Sequence, residues 1–266
     1  MHKISIITIN FNNKAGLDKT INSAASQTFT DYEYIVIDGG SIDGSIDVIN
    51  KYADKITLWT SEKDKGIYDA MNKGISKATG EYCYFLNSGD YFYSNNVLRN
   101  VFKNNPSEDI LYGDVIIEKN GNIEGQKIHP DTLSNYYLLT QVIAHQAQFI
   151  KRSLFQKFGN YNLQYKIVSD YELFVRMLLK YKVTAKHFPV YIAVFDLSGL
   201  SNDVTQLKLI NAERNMVLEI YFPKVLVRMY RGYTKLLHSK MYKNPMIASV
   251  VTMFRNIVFK FIKPKS

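Results

Sequence analysis

Short apolar runs alternate with helix-like stretches through the first part of this chain. The runs are residues 3–8, 34–37, 56–59 and 82–86. The stretches between them, which carry helical patterning, are residues 17–26, 45–52 and 68–79. Short apolar strands that alternate with helices are typical of parallel sheets buried on both faces. The alternation therefore predicts an α/β fold with a mostly parallel central sheet and helices on both faces.

Polar or acidic residues follow each of the four predicted strands. They are Asn10–Asn12, Asp38–Ser41, Ser61–Asp64 and Asn87–Asp90. The carboxyl ends of parallel strands meet at one edge of a sheet, and ligands of open α/β sheets bind at that edge. One polar strand end could be a solvated turn, but four at the same edge indicate a shared ligand site.

The rest of the chain is less regular. It opens with a predicted strand at 110–117, and Gly121 and Gly125 indicate a hairpin or flexible loop after it. A helix is predicted over 169–181. We expect one domain over 1–202, made of halves 1–100 and 101–202, and a helical extension over 203–266. In the loop at 196–201, Gly199 would act as a hinge if the loop closes over the site.

Cysteine content and the chain start bear on the compartment. The only cysteine, Cys83, lies in a predicted core strand, so no intrachain disulfide is possible and a reducing compartment is expected. The chain enters its first strand at Lys3, which predicts that it has no signal peptide. No apolar run is long enough to span a membrane. We therefore expect a cytoplasmic protein.

Charge is concentrated at the carboxyl terminus. The formal net charge is +9, yet Ile220 to Ser266 contains no Asp or Glu. This segment carries ten basic residues: Lys224, Arg228, Arg231, Lys235, Lys240, Lys243, Arg255, Lys260, Lys263 and Lys265. Subtracting these ten charges from +9 leaves the first 219 residues at −1.

The same segment has an apolar stripe at helical spacing. Its members are Ile247, Val250, Val251, Phe254, Ile257, Val258, Phe261 and Ile262. A basic amphipathic helix can lie on an anionic membrane, so 221–266 is predicted to attach to the inner face of the plasma membrane. The alternative is a helix that packs its stripe on the domain. No nucleic-acid recognition motif accompanies the charge, so nucleic acid is not an expected partner, and the oligomeric state is left open.

An ordered set of motifs resembles glycosyltransferase family 2. The motifs are Thr8–Asn12, Ser26–Phe29, Asp38–Gly44, Asp64–Gly74, Phe85–Asp90, His145–Gln146 with Phe149, Arg152, Ser153 and Phe155, and Ser169–Leu173. Their order and spacing match over roughly residues 1–200. The resemblance implies a Rossmann-like GT-A fold, a nucleotide-sugar donor and inversion at the anomeric carbon. It is closest to the branch that builds bacterial surface polysaccharides.

An inverting transfer needs a base for the acceptor hydroxyl and charge stabilisation for the leaving diphosphate. Asp90 matches the last acid of the family's metal motif, which implies Mn²⁺ or Mg²⁺. Asn87 and Gly89 stand where acids are common in the family, so the diphosphate should supply most metal ligands. Asp170 matches the family's base, although an acid at this place could simply cap a helix. Glu172 is the second candidate for the base.

Nucleotide recognition falls to the strand ends. The residues predicted to bind the donor are Thr8, Asn10, Phe11, Asp38, Asp64, Lys65, Asn72, Lys73, Asn87 and Ser88. Phe11 can stack on a pyrimidine, and Asp38 and Asp64 can accept hydrogen bonds from the base or the ribose. Where the family often has a second acid that reads the base, this chain has Gly39. His145, Gln146 and Arg152 are predicted to contact the donor sugar or the acceptor.

The sequence therefore predicts an inverting, metal-dependent hexosyl- or N-acetylhexosaminyltransferase. The expected donor is a UDP-sugar, and the expected acceptor is a saccharide or polyprenyl-linked saccharide in surface polysaccharide synthesis. The first half of the domain would bind the nucleotide sugar and the second half the acceptor. Two alternatives stay open: a nucleotide-sugar-binding module with weak catalysis, and a soluble transferase that acts on a small acceptor. The absence of a Gly-x-Gly-x-x-Gly motif after the first strand argues against a dehydrogenase.

Overall fold

A computed structural model describes residues 2–197 and 204–237, together with residues 249, 252 and 253. The strands are β1 Ile4–Asn10, β2 Tyr32–Asp38, β3 Leu58–Ser61, β4 Tyr82–Phe85, β5 Tyr91–Phe92, β6 Ile110–Lys119, β7 Asn122–Lys127, β8 Gln148–Lys151 and β9 Ala185–Asp196. The helices are α1 Lys14–Ala25, α2 Ser45–Lys51, α3 Ile67–Lys77, α4 Val97–Phe102, α5 Asn135–Thr140, α6 Arg152–Phe158, α7 Ser169–Val175, α8 Leu207–Tyr221 and α9 Lys224–Leu237.

The described strands form one sheet in the order β3-β2-β1-β4-β8-β6-β9-β5, with β7 paired to β6. Strands β1 to β4 are parallel, which confirms the prediction from the apolar runs. The third strand begins later than predicted. Thr57 donates its N–H to the Tyr34 carbonyl at 2.8 Å, but the Tyr34 N–H bonds the Thr57 side-chain Oγ1 at 3.0 Å, and the strand is regular only from Leu58.

The strand order reverses between β1 and β4. The chain moves outward from β1 to β3 and then returns to β4 on the other side of β1. Because such crossovers are right-handed, α1 and α2 cover one face and α3 covers the other. The reversal opens a crevice at the carboxyl ends of β1 and β4, which is where ligands bind in sheets of this kind.

The second half extends the sheet with strands of mixed direction. Strand β8 is antiparallel to both β4 and β6, and β6 is parallel to β9. Asn120 and Gly121, both at positive φ, form the turn of the predicted hairpin between β6 and β7. The predicted helix at 169–181 is α7 followed by a π-helical turn, Arg176–Lys180. The buried Arg176 side chain there bonds Glu172 and the Asn160 carbonyl.

The two C-terminal helices pack on the body of the protein. Glu213 on α8 is buried, and its carboxylate accepts from the N–H groups of residues 166, 167 and 168 at 2.7, 3.0 and 3.1 Å. Tyr221 donates a hydrogen bond to Glu172. Leu226 and Val227 of α9 are buried. Helix α8 therefore holds the segment that leads into α7.

Two sequence predictions fall on residues outside the described ranges. Residues 198–201 of the predicted closing loop lie there, including Gly199, as do all members of the predicted apolar stripe between Ile247 and Ile262. Within the described part of the chain, no helix combines the length and the apolar character needed to cross a membrane.

Replacing Glu213 with Ala should destabilise the protein by about 2–4 kcal/mol, because three buried N–H groups lose their acceptor. Urea unfolding measures this cost. Glu219→Ala is the matched control on the same helix, since Glu219 is half exposed and pairs with Arg231 at the surface; its cost should be about 0–1 kcal/mol. Equal costs for both variants would show that Glu213 does not anchor the segment.

Candidate active site

Three loops at the carboxyl edge are tied together by side-chain hydrogen bonds. Asn12, at φ 48°, donates its N–H to Ser41 Oγ at 2.8 Å and accepts from the Ile42 N–H at 2.9 Å. Asn13 Nδ2 donates to the Ser88 carbonyl at 3.2 Å. Asn adopts the left-handed conformation more readily than most residues. The loops after β1, β2 and β4 therefore form one connected rim.

Asp38 organises this rim from the inside. Its carboxylate accepts from Asn10 Nδ2, from the Gly40 N–H, from both the N–H and the Oγ of Ser41, and from Ser61 Oγ, at 2.6–3.1 Å. Burial alone raises the pKa of the Asp38 carboxyl, but these hydrogen bonds outweigh burial and hold the pKa below its ordinary value. Asp38 is therefore a charged but internally satisfied group.

Phe11 and Asp64 form the exposed part of the rim. The Phe11 ring is 64% exposed at the end of β1. Asp64 Oδ1 accepts from the Gly66 N–H at 2.8 Å. A Cβ built on Gly39 would lie 2.5 Å from Asp64 Oδ2 and 3.2 Å from Phe11 Cδ2, so both groups crowd the bare Gly39 backbone. An aromatic face and a carboxylate thus stand side by side.

Asp90 lies at the end of the loop after β4 and is buried. Its Oδ2 accepts from Gln146 Nε2 at 2.9 Å, and its Oδ1 accepts from the Asp196 N–H at 3.0 Å. Burial raises the pKa of the Asp90 carboxyl to about 6, although His145 and these hydrogen bonds act in the opposite direction. Thr20 Oγ1 on α1 fixes the loop by donating to the Asp90 carbonyl at 2.7 Å.

Two further side-chain oxygen atoms belong to the loop of Asp90 or lie beside it. Asn87 Oδ1 is buried without a hydrogen-bond partner. Asp196 Oδ2 lies 3.7 Å from the position of a Cβ built on Gly89. Mn²⁺ and Mg²⁺ prefer oxygen ligands. Among the residues with described placement, no group of three or more His, Cys, Asp or Glu could hold a metal ion. The site therefore fits a cation that takes most of its ligands from a bound substrate.

His145 connects the Asn87 side chain to Asp170. Asn87 Nδ2 lies 2.9 Å from His145 Nε2, and His145 Nδ1 lies 3.6 Å from Asp170 Oδ2. If Asn87 Nδ2 donates to Nε2, Nδ1 carries the proton and faces the carboxylate. The loop after β4 and the start of α7 are far apart in sequence, and His145 brings them into contact.

Asp170 is accessible and does not cap its helix. Its side chain is 20% exposed, and no side-chain capping bond forms at the start of α7. Its Oδ1 accepts from the Tyr171 N–H at 2.8 Å. Tyr68 OH lies 3.2 Å from the same oxygen and also has the Ile167 carbonyl as an acceptor at 2.5 Å. Glu172, the second candidate for the base, is buried against Arg176 at 2.9 Å and cannot reach a substrate at the rim.

The segment that carries His145 is held from several sides. Lys127 Nζ donates to the Val142 carbonyl at 2.6 Å, and Gln148 Nε2 donates to the Ile143 carbonyl at 2.8 Å. Burial lowers the pKa of the Lys127 ammonium, while the nearby Asp170 carboxylate acts in the opposite direction. Sequence reasoning missed Lys127 because no motif surrounds it. It also missed Tyr68, although Tyr68 lies within the Asp64–Gly74 motif.

Several predicted site residues lie away from the exposed rim. Thr8 is buried in β1, and its Oγ1 donates to the Leu86 carbonyl at 2.8 Å. Asn72 uses both amide atoms on the Tyr161 backbone, at 2.9 and 3.0 Å. Lys73 pairs with Glu62 at 2.9 Å. The side chain of Lys65 is exposed, and its N–H donates to Asp69 at 3.0 Å.

Arg152 requires a correction. Its Nε donates to the Gly80 carbonyl at 2.9 Å, at the start of β4. Because β8 runs antiparallel to β4, Arg152 at the end of β8 lies at the edge of the sheet opposite to His145. Contact between Arg152 and the sugar, as predicted from sequence, is incompatible with this position.

Comparison with known proteins agrees with this fold. The sequence profile described as glycosyl transferase family 2 matches residues 5–169. The chain therefore belongs to glycosyl transferase family 2. It is 34% identical over 208 residues to the PGL/p-HBAD biosynthesis glycosyltransferase of Mycobacterium bovis (strain BCG), which covers 75% of this chain and 79% of the relative.

Two solved structures share the fold. The crystal structure of S. aureus TarS 1-349 in complex with UDP-GlcNAc aligns with a TM-score of 0.60 at 19% identity, covering 73% of this chain and 58% of that one. The mannosyltransferase PcManGT from Pyrobaculum calidifontis, in complex with GDP-Man and Mn2+, aligns with a TM-score of 0.58 at 14% identity, covering 96% and 87%. The fold is thus the GT-A fold.

Proposed function

We propose that this glycosyltransferase moves a sugar from a uridine diphosphate donor to an acceptor hydroxyl with inversion, using Asp170 as the base. The observation that carries the proposal is the chain of contacts from Asn87 through His145 to Asp170, beside the buried Asp90. A candidate base and the loop that would hold the diphosphate meet at the crevice where the strand order reverses.

The nucleotide would lie along the rim, with its base on Phe11 and its diphosphate near the loop 87–90. A divalent cation held by Asp90 and the diphosphate would neutralise the charge that develops on the leaving group. The structure of PcManGT with GDP-Man and Mn2+ supports this assignment by analogy of fold. Asp38 would act indirectly, because its hydrogen bonds hold the rim in shape.

Asp170 would take the proton of the acceptor hydroxyl. The Tyr171 N–H occupies Oδ1, which leaves Oδ2 to accept that proton. The acceptor oxygen then forms its bond to the anomeric carbon while the bond from that carbon to the diphosphate breaks. The electron pair of the broken bond goes to the diphosphate. His145 Nδ1 faces Oδ2 and would orient the carboxylate.

The test is donor hydrolysis and transfer with a panel of nucleotide sugars, followed by NMR assignment of the anomeric configuration of the product. We expect a UDP-sugar to be the preferred donor and the configuration to be inverted. A product that retains the donor configuration would contradict direct displacement. Absence of activity with every nucleotide sugar would favour a binding module.

We also propose that the acceptor is lipid-linked and that the basic C-terminal region binds an anionic membrane surface. On the described part of this region, Lys224, Arg228 and Lys235 are exposed on α9. Val225 and Ile220 are exposed apolar neighbours, at 68% and 60%. Each cation near an anionic membrane contributes about 1 kcal/mol. Exposed cations with apolar neighbours are what an interfacial surface requires.

Vesicle sedimentation tests the membrane assignment. The full chain should bind vesicles that contain phosphatidylglycerol at low salt, and high salt should release much of it. Truncation after residue 237 spares the packed helices and should reduce binding. The triple variant Lys224→Glu, Arg228→Glu and Lys235→Glu should do the same. The matched control reverses three exposed lysines elsewhere: Lys55, Lys103 and Lys119. Equal losses in both triple variants would mean that net charge, and not this surface, drives attachment.

A further inference from the structure

The two carboxylates at the proposed nucleotide end of the site, Asp38 and Asp64, differ in whether an oxygen atom is free to accept a hydrogen bond from a ligand. Asp38 is fully buried, and both of its oxygens are occupied by internal donors. Asp64 uses only Oδ1, for the Gly66 N–H. Among the described residues, none donates a hydrogen bond to Asp64 Oδ2. Of the two acids, only Asp64 keeps a free acceptor at the rim.

The free oxygen has a defined position. It lies 2.5 Å from the position of a Cβ built on Gly39. That Cβ position is itself 3.2 Å from Phe11 Cδ2. No side chain at position 39 could share that space without displacing Asp64. The Asp64 carboxylate therefore occupies the place that a side chain at the end of β2 would otherwise fill, at the edge of the exposed Phe11 ring.

We propose that Asp64 is the residue that selects uracil over cytosine as the nucleobase. This inference rests on the proposed function. A base stacked on Phe11 would present its hydrogen-bonding edge to Asp64 Oδ2. The N3–H of uracil can donate a hydrogen bond to a carboxylate. N3 of cytosine carries no proton, and the carboxylate repels its lone pair. The negative charge thus favours uracil by attraction and disfavours cytosine by repulsion.

Asp64→Asn tests this selection with UDP and CDP as probes, each titrated calorimetrically in the presence of Mn²⁺. The amide keeps the shape of the side chain but loses the charge, and its Nδ2 can donate to cytosine N3. A hydrogen bond to a charged group corresponds to about tenfold to hundredfold in affinity. We expect the ratio of UDP to CDP affinity to fall by that factor in the variant.

Phe11→Leu is the matched control. Stacking is tolerant of base identity because every base has a π-face. The variant should therefore weaken UDP and CDP by similar factors and leave their ratio unchanged. A ratio that changes equally in Phe11→Leu and Asp64→Asn would overturn the assignment of selection to Asp64.

Relocating the carboxylate gives a second test. Gly39→Asp alone places two carboxylates in one space and should weaken UDP binding. Adding Asp64→Ala relieves the conflict, and the new acid at position 39 should restore the preference for UDP over CDP. If the wild type binds UDP and Asp64→Asn leaves the ratio of UDP to CDP affinity unchanged, this inference is overturned and the proposed function is left intact. Failure to bind any nucleoside diphosphate would overturn both.

Discussion

Replacing Asp170 with Asn should lower turnover by about 10²–10⁴-fold, which is the usual contribution of a general base. The amide keeps the volume of the side chain and can still accept from the Tyr171 N–H, so the fold should be unaffected. UDP affinity should also be unaffected, because the role proposed for Asp170 is toward the acceptor. Single-turnover transfer from a UDP-sugar, with calorimetric titration of UDP, measures both quantities.

Asp54→Asn is the control, since Asp54 is an exposed carboxylate paired only with Lys55 at the surface. It should keep wild-type turnover. If Asp170→Asn also keeps near wild-type turnover, the base is another group. Glu172 would not be the obvious replacement, because it is buried and paired with Arg176. His145, which lies 3.6 Å from Asp170 Oδ2, would then be the next residue to replace.

Replacing Asp90 with Asn should abolish transfer and at the same time remove a pH-dependent destabilisation of the free protein. The pKa of Asp90 is raised to about 6 by burial, so the folded state favours the protonated acid. This contribution to stability is fully present below the unfolded pKa of about 4 and is lost as pH rises through about 6. The Asn amide is neutral at every pH, so the variant does not lose this part of the free energy of unfolding, which amounts to about 1–3 kcal/mol at pH 8.

Thermal unfolding from pH 4 to pH 8 measures the stability effect. The Tm of the variant minus that of the wild type should increase as pH rises through 6. A difference independent of pH would show that the Asp90 charge is not penalised in the folded state. For the activity effect, chelation should abolish wild-type transfer, and Mn²⁺ or Mg²⁺ should restore it. Full activity in excess chelator would contradict metal dependence.

The sequence predicts the first half of the fold better than the second. Strands β1, β2 and β4 are buried on both faces and are therefore apolar runs in the sequence, and β1, β2 and β3 are each followed by a helix. Strand β8 cannot be placed this way. It inserts between β4 and β6, and its neighbours are set by long-range antiparallel pairing rather than by a local pattern.

The site shows the same division. Motifs identify Asp90, His145 and Asp170, which the structure brings together. Residue type alone cannot distinguish an acid that faces a ligand from one that holds a turn, so Asp38 and Asp64 look equivalent in sequence. In the structure the two acids differ in their hydrogen-bond donors: several internal groups donate to Asp38, whereas the Gly66 N–H donates to Asp64. No sequence pattern identifies Lys127, because its side chain acts by donating a hydrogen bond to the Val142 carbonyl in the segment before His145.

The contact of Glu213 with residues 166–168 has a consequence for protein engineering. A chimera that joined residues 1–202 to the C-terminal helices of a relative would contain every predicted catalytic residue. It would nevertheless lose the carboxylate that binds the segment leading into the helix of Asp170. Exchange of acceptor specificity or membrane attachment between relatives should therefore place the junction after residue 221, so that α8 travels with the domain it supports.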